Sequence, residues 1–185
     1  MKANFDNLVK EALKLNVHSV SMVDTSKIKF STEYRNACES NVCGMYDTNW
    51  MGPPAVGPIE ELIDKARQYR QGILIQTVHE LSDLYDTKAV EEAEKSHNEV
   101  FGRIVQKVKN EYGFKDTLPL SVGCCKICKR CAYLDGEKCR NPDKTFSSLE
   151  AYGINVMELE ESCGMSYYNG ENSISYVGLI LFNED

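Results

Sequence analysis

Long hydrophobic runs are missing from this sequence of 185 residues, whose longest uninterrupted apolar stretch is about Tyr176–Phe182. A membrane-spanning helix needs about 20 apolar residues, so no span is expected. The N-terminal stretch alternates charged with apolar residues and lacks the continuous apolar core of a secretion signal. Both absences lead to the expectation of a soluble, cytoplasmic protein with no membrane partner. Positive charge is also scarce: 21 Lys and Arg stand against 28 Asp and Glu, a net −7. A surface that coats nucleic acid needs clustered Lys and Arg, so no nucleic-acid partner is expected. Proline is rare (5 residues), and 42% hydrophobic with 26% charged residues suits a globular chain rather than a disordered one. There is no internal repeat, no Gly-rich phosphate loop, no nucleophile elbow and no dinucleotide fingerprint. Acids, bases and nucleophiles therefore give no ground for naming an enzyme, and no catalytic residue is assigned.

What the sequence does have is cysteine, unevenly placed. The eight cysteines lie at 38, 43, 124, 125, 128, 131, 139 and 163, and none falls between 44 and 123. A disulfide scaffold is usually small, secreted and evenly laced. Five cysteines within residues 124 to 139 suit metal or redox chemistry better.

Hydrophobic periodicity organises the rest as one domain over 1–185, in the α/β or α+β class, with a mixed sheet of about four to five strands and flanking helices. Phe5, Leu8, Val9, Ala12 and Leu13 predict a helix over 4–15. Alternation over 17–23 predicts a strand, then a turn at Asp24 and a short extended piece over 27–30. Residues 35–58 look like loop. Pro58 suits the start of a helix carrying Ile59, Leu62, Ile63, Ala66 and Tyr69, with Gly72 as its stop. The run 73–78 suggests a buried strand. One face of Val90, Ala93, His97, Val100, Phe101, Ile104, Val108 and Tyr112 predicts a long helix over about 87–112. A strand over 118–122 feeds the cysteine-rich loop at about 123–142. A helix near 147–152, a second helical piece after Ile154 and a strand over 175–182 complete the pattern.

In the second loop, Cys125, Cys128 and Cys131 form a C-x2-C-x2-C run, and Cys139 follows after seven residues. Three thiolates at i, i+3 and i+6 can wrap three corners of a cubane while a fourth arrives from farther along, the general logic of cysteinyl [4Fe–4S] binding. Lys126, Lys129, Arg130, Lys138 and Arg140 surround them, and such cations would favour an anionic cluster and lower the thiol pKa values. Zinc also accepts four thiolates, but its usual signature is two C-x2-C knuckles a dozen or more residues apart. The iron–sulfur reading is thus preferred, zinc is the alternative, and disulfides or free thiols come third.

Two blocks carry a resemblance: Arg35-Asn36-Ala37-Cys38 through Cys43-Gly44-Met45-Tyr46 to Trp50-Met51-Gly52-Pro53-Pro54, and Gly123-Cys124-Cys125 through Cys139-Arg140-Asn141-Pro142. With Ser148 to Val156 they resemble a prokaryotic family of unknown function described as predicted metal-binding proteins. The resemblance runs from about residue 30 to the C-terminus. It implies a Cys-rich metal site, iron–sulfur in kind; within the run the expected ligands are Cys125, Cys128, Cys131 and Cys139, with Cys124 spare because the family's ligand stands second after the glycine. The resemblance carries over no defined activity; the cysteine run on a cation-rich loop is what leads to the expectation of an electron-transfer role with a redox partner protein, the alternative being a structural zinc-binding or metal-sensing module. In the first block the family usually has a further cysteine directly before Pro-Pro, where this chain has Gly52, and more cysteines in the following helix, where this chain has Leu62 and Ile63. The pair Cys38 and Cys43, with Cys124 or Cys163, is therefore the lesser candidate for metal, and one centre per chain is expected.

The remaining polar residues have plainer readings. His97 and His79 are expected to pack rather than ligate, and His18 to be exposed. Tyr46, Trp50, Pro53 and Pro54 suit loop packing around the cysteine pair. Glu91, Glu92 and Glu94 at the start of the long helix complement its dipole. Glu158, Glu160 and Glu161 are expected to form a solvated face.

Overall fold

The structure is a computed structural model that describes residues 5–183. Five strands form one mixed sheet: β1 (Ser19–Asp24), β2 (Gln71–Glu80), β3 (Thr117–Ser121), β4 (Ser147–Ser148) and β5 (Ser173–Phe182). Their order is β1-β2-β5-β3-β4. The first three neighbouring pairs are antiparallel, and only the short β3–β4 pair is parallel. With helices α1 (Phe5–Leu13), α2 (Glu33–Glu39), α3 (Ile59–Arg67), α4 (Thr87–Asn110) and α5 (Val156–Ser162), the class is α+β. No described helix is long and apolar enough to cross a membrane.

The sheet is covered on both faces, which explains why its central strands are almost wholly apolar. Side chains alternate across a strand, so neighbours enter opposite cores. Ile73, Ile75, Ile180 and Phe182 pack with Leu8 and Ala12 of α1 and with Phe101, Ile104 and Val108 of α4. Leu74, Val177, Leu179 and Leu181 face the other way, onto Leu62 and Ala66 of α3 and Leu159 of α5.

Most predicted elements are present, with ends shifted by a few residues. Residue 4 of the first predicted helix lies outside the described residues. Asp86 caps α4 by accepting from the Lys88 and Ala89 amides, and Asn155 caps α5 by accepting from Glu158. The expected extended piece over 27–30 is reduced to one bridge, Phe30 to Ile154.

Three expectations are corrected. Residues 35–58 are not loop throughout, because α2 occupies Glu33–Glu39. Its helix carries little apolar periodicity and is anchored instead by Arg35, 3% exposed, whose guanidinium donates to the carbonyls of Ala151 and Gly57. Gly72 does not end α3, which stops at Arg67; it lies inside β2, where a Cβ would meet the Leu181 side chain at 2.8 Å. A close strand-to-side-chain contact, not a helix stop, requires that glycine. The helix expected near 147–152 is instead β4 followed by a single 3-10 turn, Glu150–Tyr152. Ser147 and Ser148 pair with Leu120 and Ser121, and that tertiary pairing outweighs a local helix start.

Candidate metal centre

The cysteine-rich loop begins where β3 ends. Gly123 turns the chain in the left-handed region (φ +70), and its missing Cβ leaves room for the Glu94 carboxylate of α4, which would lie 2.7 Å away. Glu94 in turn receives Lys126 Nζ at 3.1 Å, and Glu91 lies 3.9 Å from the same ammonium. Glu94 is thus more than a dipole-compensating end residue; it pins the loop's first turn to α4. Its partner across the chain could not be read from local spacing.

The loop then braces itself. Arg130 donates to the Asp135 carboxylate at 2.8 Å, and Arg140 donates to Glu137 at 3.2 Å and to the carbonyl of Arg130. A 3-10 turn over Ala132–Asp135, with Ala132 2% exposed, closes on Gly136 in the left-handed region. Five expected cations are therefore not equivalent. Lys126, Arg130 and Arg140 are paired with carboxylates, and Lys129 and Lys138 are exposed. Arg140 still lies near enough to Cys128 to feel its charge.

Cys125, Cys128, Cys131 and Cys139 are half-buried on this loop. They are neighbours: the charges of Cys131, Cys139 and Cys128 all act on Cys125. Asn141 binds two of them, its backbone N–H reaching Cys139 Sγ and its side-chain Nδ2 reaching Cys128 Sγ, each at 3.4 Å. Such N–H groups aimed at sulfur would tune any metal it holds. The expected lowering of thiol pKa values is not what governs Cys125: burial raises it, the Ile127 amide opposes, and the neighbouring thiols raise it further. The nearby cations are spent on carboxylates, and partial desolvation wins.

The first loop docks on the second. Trp50 Nε1 donates to the Glu137 carbonyl at 2.9 Å, its ring meets Tyr133 edge-on at 5.1 Å, and the Tyr133 hydroxyl bonds Asp47. Trp50 is engaged in loop packing, but its contacts are with the second loop, whereas packing around the cysteine pair was expected. Cys38 lies on α2 and Cys43 is exposed beyond it. Cys43 acts on both Cys38 and Cys124, so these three thiols share a neighbourhood beside the four. Burial raises Cys38, helped by Glu150, and burial raises Cys124 against the opposing Lys126. Cys163 lines a separate cleft with Met22, Lys27 and Arg70, and burial raises its thiol against the hydroxyls of Ser162 and Ser21. Leu62 and Ile63, where the family has further cysteines, are buried in the core. All eight cysteines are free, and among the described residues no group of three or more His, Cys, Asp or Glu is arranged to hold a metal ion as it stands. Metal binding would draw the thiols together, which a loop outside the sheet permits.

The histidines are structural. His97 is 0% exposed on the α4 face, with Nδ1 2.8 Å from the Thr77 hydroxyl, which also lies 3.0 Å from His79 Nε2. His18 is exposed just before β1. One reading fails: Glu160 is not on a solvated face but 1% exposed, its Oε1 accepting from Gln76 Nε2 at 2.7 Å. The short helix α5 turns that side of itself onto the sheet, where Gln76 replaces an apolar residue.

An α+β chain with a self-braced, thiol-rich loop at one end of its sheet belongs to the class of cysteine-rich metal-binding proteins. The chain is a member of the family described as predicted metal-binding protein, DUF2284, whose model matches residues 21–182. Comparison with curated proteins gave no match, and comparison with solved structures gave none.

Proposed function

We propose that this protein carries one [4Fe–4S] cluster on Cys125, Cys128, Cys131 and Cys139 and serves electron transfer with a redox partner protein in the cytoplasm. The observation that carries the reading is Asn141, which aims two N–H groups at the sulfurs of Cys128 and Cys139. The C-x2-C-x2-C spacing with a distant fourth cysteine supports a cubane over a single ion. When bound, the cluster would supply one-electron chemistry. The chain's own residues hold the thiols on a braced loop, shield them partly from water, and offset anionic charge through Arg140.

Anaerobic purification tests this. The protein should be brown, with about four irons and four acid-labile sulfides per chain. The Cys128→Ser protein should lose most of both, while Cys124→Ser keeps them. A colourless preparation containing zinc in the same residues would replace this reading with the structural zinc one. About eight irons, half of them lost in Cys38→Ser, would instead establish a second centre at the first loop.

A further inference from the structure

A cavity of about 410 Å³ opens beside the cysteine loop, on the side of the sheet that holds α5. Its wall includes Ser121 and Val122, the last residues before Gly123, and Glu150, whose charge also reaches Cys38. The volume falls within the usual range of small-molecule sites, roughly 300–1,000 Å³. Two carboxylates, Glu150 and Glu160, face it, and no Lys, Arg or His is among its described lining residues.

Glu160 is the unusual member. It is 1% exposed, yet it lines the cavity, and its side chain's one hydrogen bond among the described residues comes from Gln76 to Oε1. Gln76 is itself fully buried. Its Nε2 donates both to Glu160 and to the Ser166 carbonyl, which fixes the amide's orientation and leaves Oε1 without a donor. No cationic side chain among the described lining residues offsets the Glu160 charge, which is costly for a buried carboxylate. Tyr167 (57% exposed) and Tyr168 (67% exposed) also line the cavity, and tyrosine rings attract cations through their quadrupoles.

We propose that this cavity binds an organic ammonium ion, with the Glu160 carboxylate as its buried anionic contact, Glu150 as a second, and Tyr167 and Tyr168 attracting the charge through their rings. An ammonium group brings the positive charge that the described lining lacks, with three donors for the carboxylates. The site needs no metal, so it stands or falls apart from the cluster.

Titration of the full chain with three probes of one shape tests it: benzylammonium, benzyl alcohol and benzoate, followed by calorimetry and by the amide signals of Ser175 and Val177. Benzylammonium should bind saturably and at least roughly tenfold more tightly than the alcohol, and benzoate should not bind. Glu160→Gln keeps an acceptor for Gln76 and should retain the fold by circular dichroism while weakening benzylammonium roughly tenfold or more. Glu150→Gln should weaken it by less. Equal binding of the alcohol, binding of benzoate, no benzylammonium binding, or unchanged affinity in both variants would overturn the proposal. Iron content measured on the same samples separates this result from that of the metal centre.

Discussion

Trp50 Nε1 donates a 2.9 Å hydrogen bond to the carbonyl of Glu137, so a side chain from the first cysteine loop closes on the second across 87 positions of sequence. The bond and the edge-on Tyr133 contact make the two loops one unit. Trp50→Phe keeps an aromatic ring but removes the donor. Urea unfolding should show a loss of about 1 kcal/mol, the ordinary worth of one such bond. Amide exchange should quicken in residues 132–138 while β2 and β5 stay protected. An unchanged exchange pattern would show that the clasp does not hold the loops together.

Asn141 offers a test that separates tuning from ligation. Asn141→Ala removes the N–H donor to Cys128 Sγ while leaving the backbone donor to Cys139 in place. On the iron–sulfur reading, the variant should keep its iron, because no ligand is lost. Its reduction potential should fall, since donors to sulfur stabilise the more negative, reduced cluster. Voltammetry of the two proteins side by side reads the difference; identical potentials would remove Asn141 from that role.

His97 ties stability to pH. Burial pushes its pKa down to about 3, with the charge of His79 acting in the same direction. In the unfolded chain a histidine titrates near about 6.5. Between these values the unfolded state binds a proton that the folded state refuses, so stability rises with pH from about 3 to about 6.5 and then levels. His97→Gln should flatten the curve by up to about 1.4 kcal/mol per pH unit in that window. Denaturant melts of both proteins at pH 4, 5 and 6 make the comparison, and parallel curves would contradict it.

Gly178 is a point of close approach between β5 and α4. A Cβ there would overlap the ring of Phe101, which is 0% exposed. Gly178→Ala should cost about 3 kcal/mol or more, the upper end of overpacking effects. Adding Phe101→Leu should recover part of the loss, because the smaller side chain vacates the space. Strict additivity of the two changes in urea melts would argue against the direct clash.

The sequence was informative wherever the deciding interactions are local. Helix α4 follows from its apolar stripe at 3.6-residue spacing, ended by Gly113 in the left-handed region. Strands β2 and β5 follow from short apolar runs. The grouping of Cys125, Cys128 and Cys131 follows from their spacing on one short loop. The C-terminal helix expected near 147–152 failed because two serines joined a sheet edge, an event their neighbours in sequence do not encode. Helix α2 was missed because a buried arginine, bonded to carbonyls 116 and 22 residues away, holds it in place of an apolar face.

Charge was the least legible property. Local composition placed five cations around the cysteines, yet the carboxylates of Glu94, Asp135 and Glu137 take up three of them. Glu160 looked solvated beside Glu158 and Glu161, but Gln76, 84 residues earlier, receives it in the interior. Sequence by itself determined the class of fold, the spacing of the loop cysteines and the family, because periodicity and spacing act over a few residues. Tertiary structure alone decided which loops touch, which charges are paired and which carboxylate faces a cavity. Those outcomes depend on distances between residues far apart in the chain, and only the packed sheet brings them within reach of one another.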